Sequence, residues 1–231
     1  MIDDLALMNL RAEIDFTYDA RGRMLLTNEP CLEARRLAPR FTIGCASEGY
    51  SARFGAILPD ASAQAVRRYI DGLLPMKSLR FHESTFCVLR ELLGGPESSG
   101  GPAYRFPDVI PSPSGVIRLT EANRDLARET FAWLHREVAD WQPCFVVIED
   151  GAVVSACYSS RIGPLAAEAG VDTLAAFRGR GYAAAVTAAW GSEIRAMGRV
   201  PIYSTGWSNL ASQGVARRVG LELFGVDATW D

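Results

Sequence analysis

Apolar and polar positions follow two periodicities along this chain, and the clearer patterning lies in its second half. Val116–Leu119 reads as a short strand. Thr120 can cap a following helix, with Glu121 at its positive end and Ala127, Phe131, Leu134 and Val138 as its apolar stripe. Pro143–Ile148 and Val153–Ser159 are strand-like runs joined by the turn signal Glu149-Asp150-Gly151. Glu168–Leu174 is another strand, and beyond a glycine-rich turn Tyr182, Val186, Trp190, Ile194 and Met197 share one side of a helix. Pro201–Thr205 is again strand, Asn209–Val219 a helix ended by Gly220, and Leu221–Val226 a last strand. Antiparallel strands followed by strands alternating with helices predict an α/β fold of the α+β kind, a mixed sheet with helices on both faces.

The first half is less regular. Phe41, Ile43 and Cys45 alternate as in a short strand, and Ser51–Leu58 fits a second. Ala65, Val66, Tyr69, Ile70 and Leu73 recur at helical spacing, and Ser84–Leu93 fits a further helix stopped by Gly94-Gly95. From Gly94 to Gly115 the run GGPESSGGPAYRFPDVIPSPSG continues neither periodicity and reads as a linker. The expected division is therefore a smaller mixed α/β N-terminal domain over residues 1–112 and a second domain over residues 113–231. No catalytic constellation shows in the first part.

Composition narrows the function classes. With 231 residues and 48% hydrophobic content the chain can build a sizeable core, and 22% charged residues speak against wholesale disorder. A net charge of −3 gives no basic excess, so no nucleic-acid partner is expected. Cys31, Cys45, Cys87, Cys144 and Cys157 include no CxxC pair, which predicts reduced thiols in a cytoplasmic protein rather than a zinc site or disulfide framework. His82 and His135 are isolated, so no metal is expected. The N-terminal run MIDDLALMNLRAEIDF lacks a basic region before an apolar one, and nothing approaches the ~18 apolar residues of a membrane span.

The most informative segment runs from Leu174 to Ala183 and includes Arg178-Gly179-Arg180-Gly181-Tyr182-Ala183. A glycine turn between a strand and a helix leaves several N–H groups unpaired at the positive end of a helix dipole, an arrangement suited to phosphates. Glycine at 179 and 181 lets the backbone approach a ligand closely. Rival phosphate loops fit less well: no GxxxxGK run occurs, and Gly179-Arg-Gly181 lacks the third glycine and early position of a dinucleotide fingerprint.

The run Arg178–Ala183 resembles the Q/R-x-x-G-x-G/A signature of the GNAT superfamily, the acyl-CoA-dependent N-acetyltransferases. Asn209-Leu-Ala211-Ser212 and Arg218-Val-Gly220-Leu221 resemble the second motif of that superfamily, in the right order and about thirty residues on. The resemblance covers roughly residues 113–231, and AAEAGVDTL, FRGRGYAAAV and YSTGWSNLASQGVARRVGL look like a bacterial subgroup with an extra N-terminal region. It implies a GNAT-like fold in the C-terminal half, acetyl-CoA as co-substrate, and an amine acceptor that is a small molecule or a protein amine. The diphosphate is expected on the N–H groups of Arg178, Gly179, Arg180, Gly181, Tyr182 and Ala183. Pantetheine is expected beside Thr173, Leu174 and Ala175, in a slot opened where this strand splays from Pro201–Thr205. Asn209 and Ser212 would border the thioester end. Arg217 and Arg218 are open between a ribose-phosphate contact and a solvated helix face.

The implied chemistry is attack by a neutral amine on the thioester carbonyl. Glu168 is the expected base and Asp172, on the same strand face, the second choice. The tyrosine that many relatives place as acid corresponds here to Ala216, leaving Ser212, Tyr203 or water. A backbone N–H near Leu174–Ala175 would polarise the carbonyl. Cys157 is open between an acyl carrier and a buried thiol. Trp190 and Trp207 suit core or slot-wall positions. Two further readings remain beside the transferase: a non-catalytic acyl-CoA-binding module, and an interaction protein whose glycine turn only caps a helix. The N-terminal region could shape an acceptor pocket, be a degenerate second copy, or make a homodimer.

Overall fold

The computed structural model describes residues 2–75, 79, 81–111 and 113–231. Asp3 starts helix α1 (Asp4–Asp15) by accepting the Ala6 N–H at 2.7 Å, satisfying one of the open donors of the first turn. A small hairpin follows, β1 (Phe16–Tyr18) and β2 (Met24–Thr27), and then β3 (Phe41–Ala46) and β4 (Gly49–Phe54). Helices α2 (Asp60–Asp71) and α3 (Glu83–Leu93) lead to β5 (Ser99–Arg105) and β6 (Ile117–Leu119). Beyond these come α4 (Ala132–Glu137), β7 (Cys144–Glu149), β8 (Ala152–Ile162) and β9 (Ala166–Thr173). The chain closes with α5 (Tyr182–Ala196), β10 (Val200–Ser204), α6 (Leu210–Val219) and β11 (Glu222–Trp230).

Among the described residues, all strands but the β1–β2 hairpin join one nine-stranded sheet in the order β4-β3-β11-β5-β10-β9-β8-β7-β6. Every pairing is antiparallel except β9 with β10, as expected of the mixed sheet. Alternation along the strands sends Phe41, Ile43, Trp230 and Tyr203 to one face, under α2, α3, α5 and α6. The opposite face carries α1 over Ile202, Ala103 and Phe224, and α4 over Val146 and Ala156. Gly44 lets α1 settle close to the sheet, because a Cβ there would overlap the Met8 methyl.

Two expectations are corrected and a third is not shown. The run 94–115, expected as linker, contains β5, which sits in the sheet between β11 and β10. Glycine serves close approach here: a Cβ on Gly101 would overlap the Thr205 carbonyl oxygen, and one on Gly100 would press on that of Asp227. A separate N-terminal domain is accordingly not shown, since β3 and β4 extend the same sheet through β11. Ser112, where the division was placed, lies outside the described residues. Finally, the helix expected after Thr120 is a 3-10 turn over Glu121–Ala127, kinked at Asn123, followed by the short α4. The Asn123 side chain accepts the Thr120 N–H at 2.7 Å and donates to the Arg118 carbonyl at 3.0 Å, and this local bonding competes with an α-helical start.

Candidate functional site

β9 and β10 pair in parallel only through Val200–Ala166, Pro201–Ala167 and Ile202–Glu168. Beyond that point β10 pairs with β5 at Tyr203 and Ser204, while β9 continues against β8 as far as Thr173. Two strands that part without a third between them leave a wedge, and the wedge holds a hollow of about 780 Å³. One wall is Ala169, Val171, Asp172 and Thr173; the other is Tyr203, Ser204, Thr205 and Gly206.

Leu174 N–H donates to the Val154 carbonyl at 3.0 Å, which sets the phase of the β8–β9 ladder. By the alternation of an antiparallel pair, the N–H and C=O groups of Val171 and Thr173 point away from β8 and into the wedge. Leu174 therefore has no free N–H for a ligand. Neither Leu174 nor Ala175 is among the lining residues.

The mouth of the wedge is the glycine turn. Gly179 and Gly181 hold φ of 80° and 89°, a region that favours glycine. Gly181 is the cap of α5, whose first backbone bond is Ala185 N–H to the Gly181 carbonyl at 3.1 Å. The N–H groups of Tyr182, Ala183 and Ala184 are thus left open at the positive end of the helix. Arg178 lines the mouth and donates to the Thr173 carbonyl at 3.3 Å. Arg180 instead lies over the Phe177 ring, 4.9 Å from its centroid, and does not line the hollow. Arg218 lines it and Arg217 does not, so one of the two helix arginines faces the turn.

At the inner end, Asn209 caps α6 by accepting the Ser212 N–H at 3.0 Å. Ser212 Oγ and Tyr203 Oη are hydrogen-bonded at 2.7 Å, and burial pushes the Tyr203 phenol up to about 12. Ala216 is fully buried in the core beside them. Ser204 points to the other face, where its hydroxyl donates to Glu168 Oε1.

Glu168 is buried and does not itself line the hollow; Ser204 stands between. Burial works against its charge, but Arg11, with Nε 3.2 Å from Oε1, and hydrogen bonds from Asp15 and Ser204 hold its carboxyl below the usual range. Asp15 moves the opposite way: burial and the adjacent Glu168 charge lift its carboxyl well above the usual range. Arg11 also contacts Asp227, and its Nη2 donates to Ser204 Oγ at 3.2 Å. Sequence reading missed Arg11, Asp15, Ser204 and Asp227. The four-residue spacing of Arg11 and Asp15 marks a common helix face, but nothing local says which strand that face meets.

Of the remaining candidates, Asp172 lines the hollow and the others are dispersed. Asp172 is exposed and accepts from the Tyr158 hydroxyl at 2.9 Å. Cys157 is fully buried outside the wedge, and burial holds its thiol well above the usual range. Trp190 is core, and Trp207 is half exposed. His82 precedes α3 without a side-chain cap bond, and His135 meets Asp125 at 3.0 Å. Among the described residues no group of three His, Cys, Asp or Glu is placed to hold a metal, and no helix is long and apolar enough to cross a membrane.

A strand splay that ends at an open helix N-terminus, with a hydroxyl and carboxylate behind it, suits an acyltransferase. Residues 143–225 match the family described as GNAT acetyltransferase. Among solved structures, a GNAT-family protein from Novosphingobium aromaticivorans is 19% identical, with 96% of this chain and 92% of that one covered and a TM-score of 0.46. An acetyltransferase from the GNAT family of Colwellia psychrerythraea is 14% identical, covering 80% and 81%, with a TM-score of 0.49. A GCN5-related N-acetyltransferase-like protein from Streptococcus suis is 15% identical, covering 83% and 84%, with a TM-score of 0.46. No curated protein matches the chain.

Proposed function

We propose that the protein transfers an acetyl group from acetyl-CoA to a primary amine by direct attack in a ternary complex. The observation that carries this reading is the parting of β9 from β10, which runs a hollow from the open N–H groups of α5 to Ser204, whose hydroxyl reaches on to Glu168. The N–H groups of Tyr182, Ala183 and Ala184 take the diphosphate, with Arg178 and Arg218 beside it. The wedge-facing backbone of Val171 and Thr173 pairs with the pantetheine amides and polarises the thioester carbonyl. Asn209 shapes the inner end by holding α6 and Ser212 in place.

An alkyl ammonium has a pKa near ~10.4, so the acceptor must lose a proton before it attacks. Glu168 is the base, reached through Ser204: the amine proton passes to Ser204 Oγ as the Ser204 proton passes to Glu168 Oε1. The N–C bond forms, the second nitrogen proton passes to solvent, the C–S bond breaks, and the thiolate leaves. Its thiol is acidic enough, with a reference value of about 8.5, that a hydrogen bond from the Tyr203–Ser212 hydroxyl pair and a solvent proton suffice. Tyr203 thus stands in for the tyrosine absent at Ala216.

Calorimetric titration of acetyl-CoA, followed by thiol release with a panel of alkyl, arylalkyl and polyamine acceptors, tests the reading. Binding with amine-dependent thiol release supports it. Tight binding without release for any amine would turn the assignment to a non-catalytic acyl-CoA module, which the alanine at 216 favours. Absence of binding overturns both.

A further inference from the structure

The charges behind Ser204 do not balance. The single guanidinium of Arg11 meets three carboxylates: Glu168 at 3.2 Å, Asp15 at 3.6 Å, and Asp227 in direct contact. These side chains are only 8%, 16% and 14% exposed, so water screens them poorly. The next cation, Arg161 on β8, is held by both oxygens of Glu29 at 2.6 Å. On β4, Arg53 donates to Asn9 at 3.0 Å, and on β1 the Tyr18 hydroxyl donates to the Ala12 carbonyl at 2.6 Å. β3 offers Thr42 and Gly44, which carry no charge.

Partners are shared unequally among the three acids. Asp227 has Arg11 and the Gly101 N–H at 2.9 Å; Glu168 has Arg11 and Ser204. Among the described residues the Asp15 carboxylate has only the long contact to Arg11, the guanidinium that also holds Glu168 at 3.2 Å. Two poorly screened carboxyl groups held against one guanidinium repel when both are ionised, and a proton shared between them relieves that repulsion. It belongs on the acid with the weaker set of cationic partners.

Resting on the reading of Glu168 as base, we propose that Asp15 is a positioning residue of the transfer site. Its carboxyl holds a proton against Glu168, and helix α1 thereby sets the pH at which the base becomes available. While Asp15 donates to Glu168, one lone pair of the base is occupied. When that proton leaves to solvent, the pair carries two charges and accepts the amine proton from Ser204 more strongly than Glu168 would alone. The first fifteen residues would then be part of the chemistry as well as of the fold.

Difference infrared titration of the whole protein reads this directly. The wild type should show a protonated-carboxyl band at pH 7 that is lost in Asp15→Asn and also in Glu168→Gln, where Asp15 has no partner and ionises. A wild type without the band, or an Asp15→Asn protein that keeps it, overturns the proposal. Should Asp15→Asn fail to fold, Asp15→Glu keeps an ionisable group and must retain the band at a shifted midpoint; an unshifted midpoint overturns the proposal. A second readout is kcat/KM against pH with benzylamine and spermidine as acceptors. Asp15→Asn should move the acid limb down by about one unit or more, and an unmoved limb is contrary. Full turnover by Glu168→Gln would sink the base reading itself while leaving the infrared result standing. The infrared titration is decisive whether or not either amine is turned over.

Discussion

Gly181 meets the demand of a φ of 89°, and the Arg218 guanidinium lies in ordinary contact range, 3.5 Å from where a Cβ would stand. A glutamate there adds backbone strain of about 1–2 kcal/mol and a negative charge at the phosphate end. Gly181→Glu should fold with an unchanged far-ultraviolet spectrum and show no calorimetric binding of acetyl-CoA. Glu168→Gln probes the other end. It keeps the hydrogen bond from Ser204 but removes the base, and kcat should fall by about 10²–10⁴ while KM for acetyl-CoA stays put. A kcat within reach of wild type would assign the proton to another acceptor. Tyr203→Phe should act more gently. Losing one hydrogen bond to the leaving sulfur is worth about 0.5–1.5 kcal/mol, so kcat drops about ten-fold at most. Stopped-flow thiol detection separates that step from product release.

Among the elements, β5 is where sequence and structure part most. The turn before α5, the β7–β8 hairpin and the cap of α6 are written in local chemistry: glycine at positive φ, Glu149-Asp150-Gly151, and Asn209 three residues before the N–H it accepts. Each could be read from a few neighbouring residues. β5 could not, because Ser99-Gly100-Gly101-Pro102 has the composition of a loop and becomes a strand only through partners far along the chain, β10 and β11. Helix α1 failed for a related reason: its cap is legible, but the use of Arg11 and Asp15 depends on Glu168, some 157 residues away from Arg11. The same close approach makes a test. Gly101→Ala puts a methyl against the Thr205 carbonyl and must push β10 from β5. We expect a loss of about 1–3 kcal/mol in urea unfolding, as for an overpacked core site. Acetyl-CoA binding should weaken as well, because Thr205 and Gly206 form one wall of the wedge. Loss of stability with unaltered binding would show that the wedge is held independently of β5.

At the scale of the whole molecule, the family match begins at residue 143, yet the sheet that opens the wedge depends on residues long before it. β11 has two neighbours, β3 and β5, and both come from the first half of the chain. β10 has one neighbour from each half, and its pairing with β5 draws it away from β9. Residues 113–231 alone would therefore leave β11 with both edges bare and β10 without the partner that holds the splay. Their inner face would also lose α1, exposing Ala166, Ile202 and Phe224, which are fully buried in the intact chain. Unpaired edges and apolar surface of this kind favour aggregation over folding. Expressed without residues 1–112, the C-terminal part should show poor amide dispersion by NMR and no cooperative thermal transition, whereas the full chain should unfold in a single step. A cooperative, acetyl-CoA-binding fragment would mean that β9 and β10 part by their own twist, and that the first half was added to a site already complete.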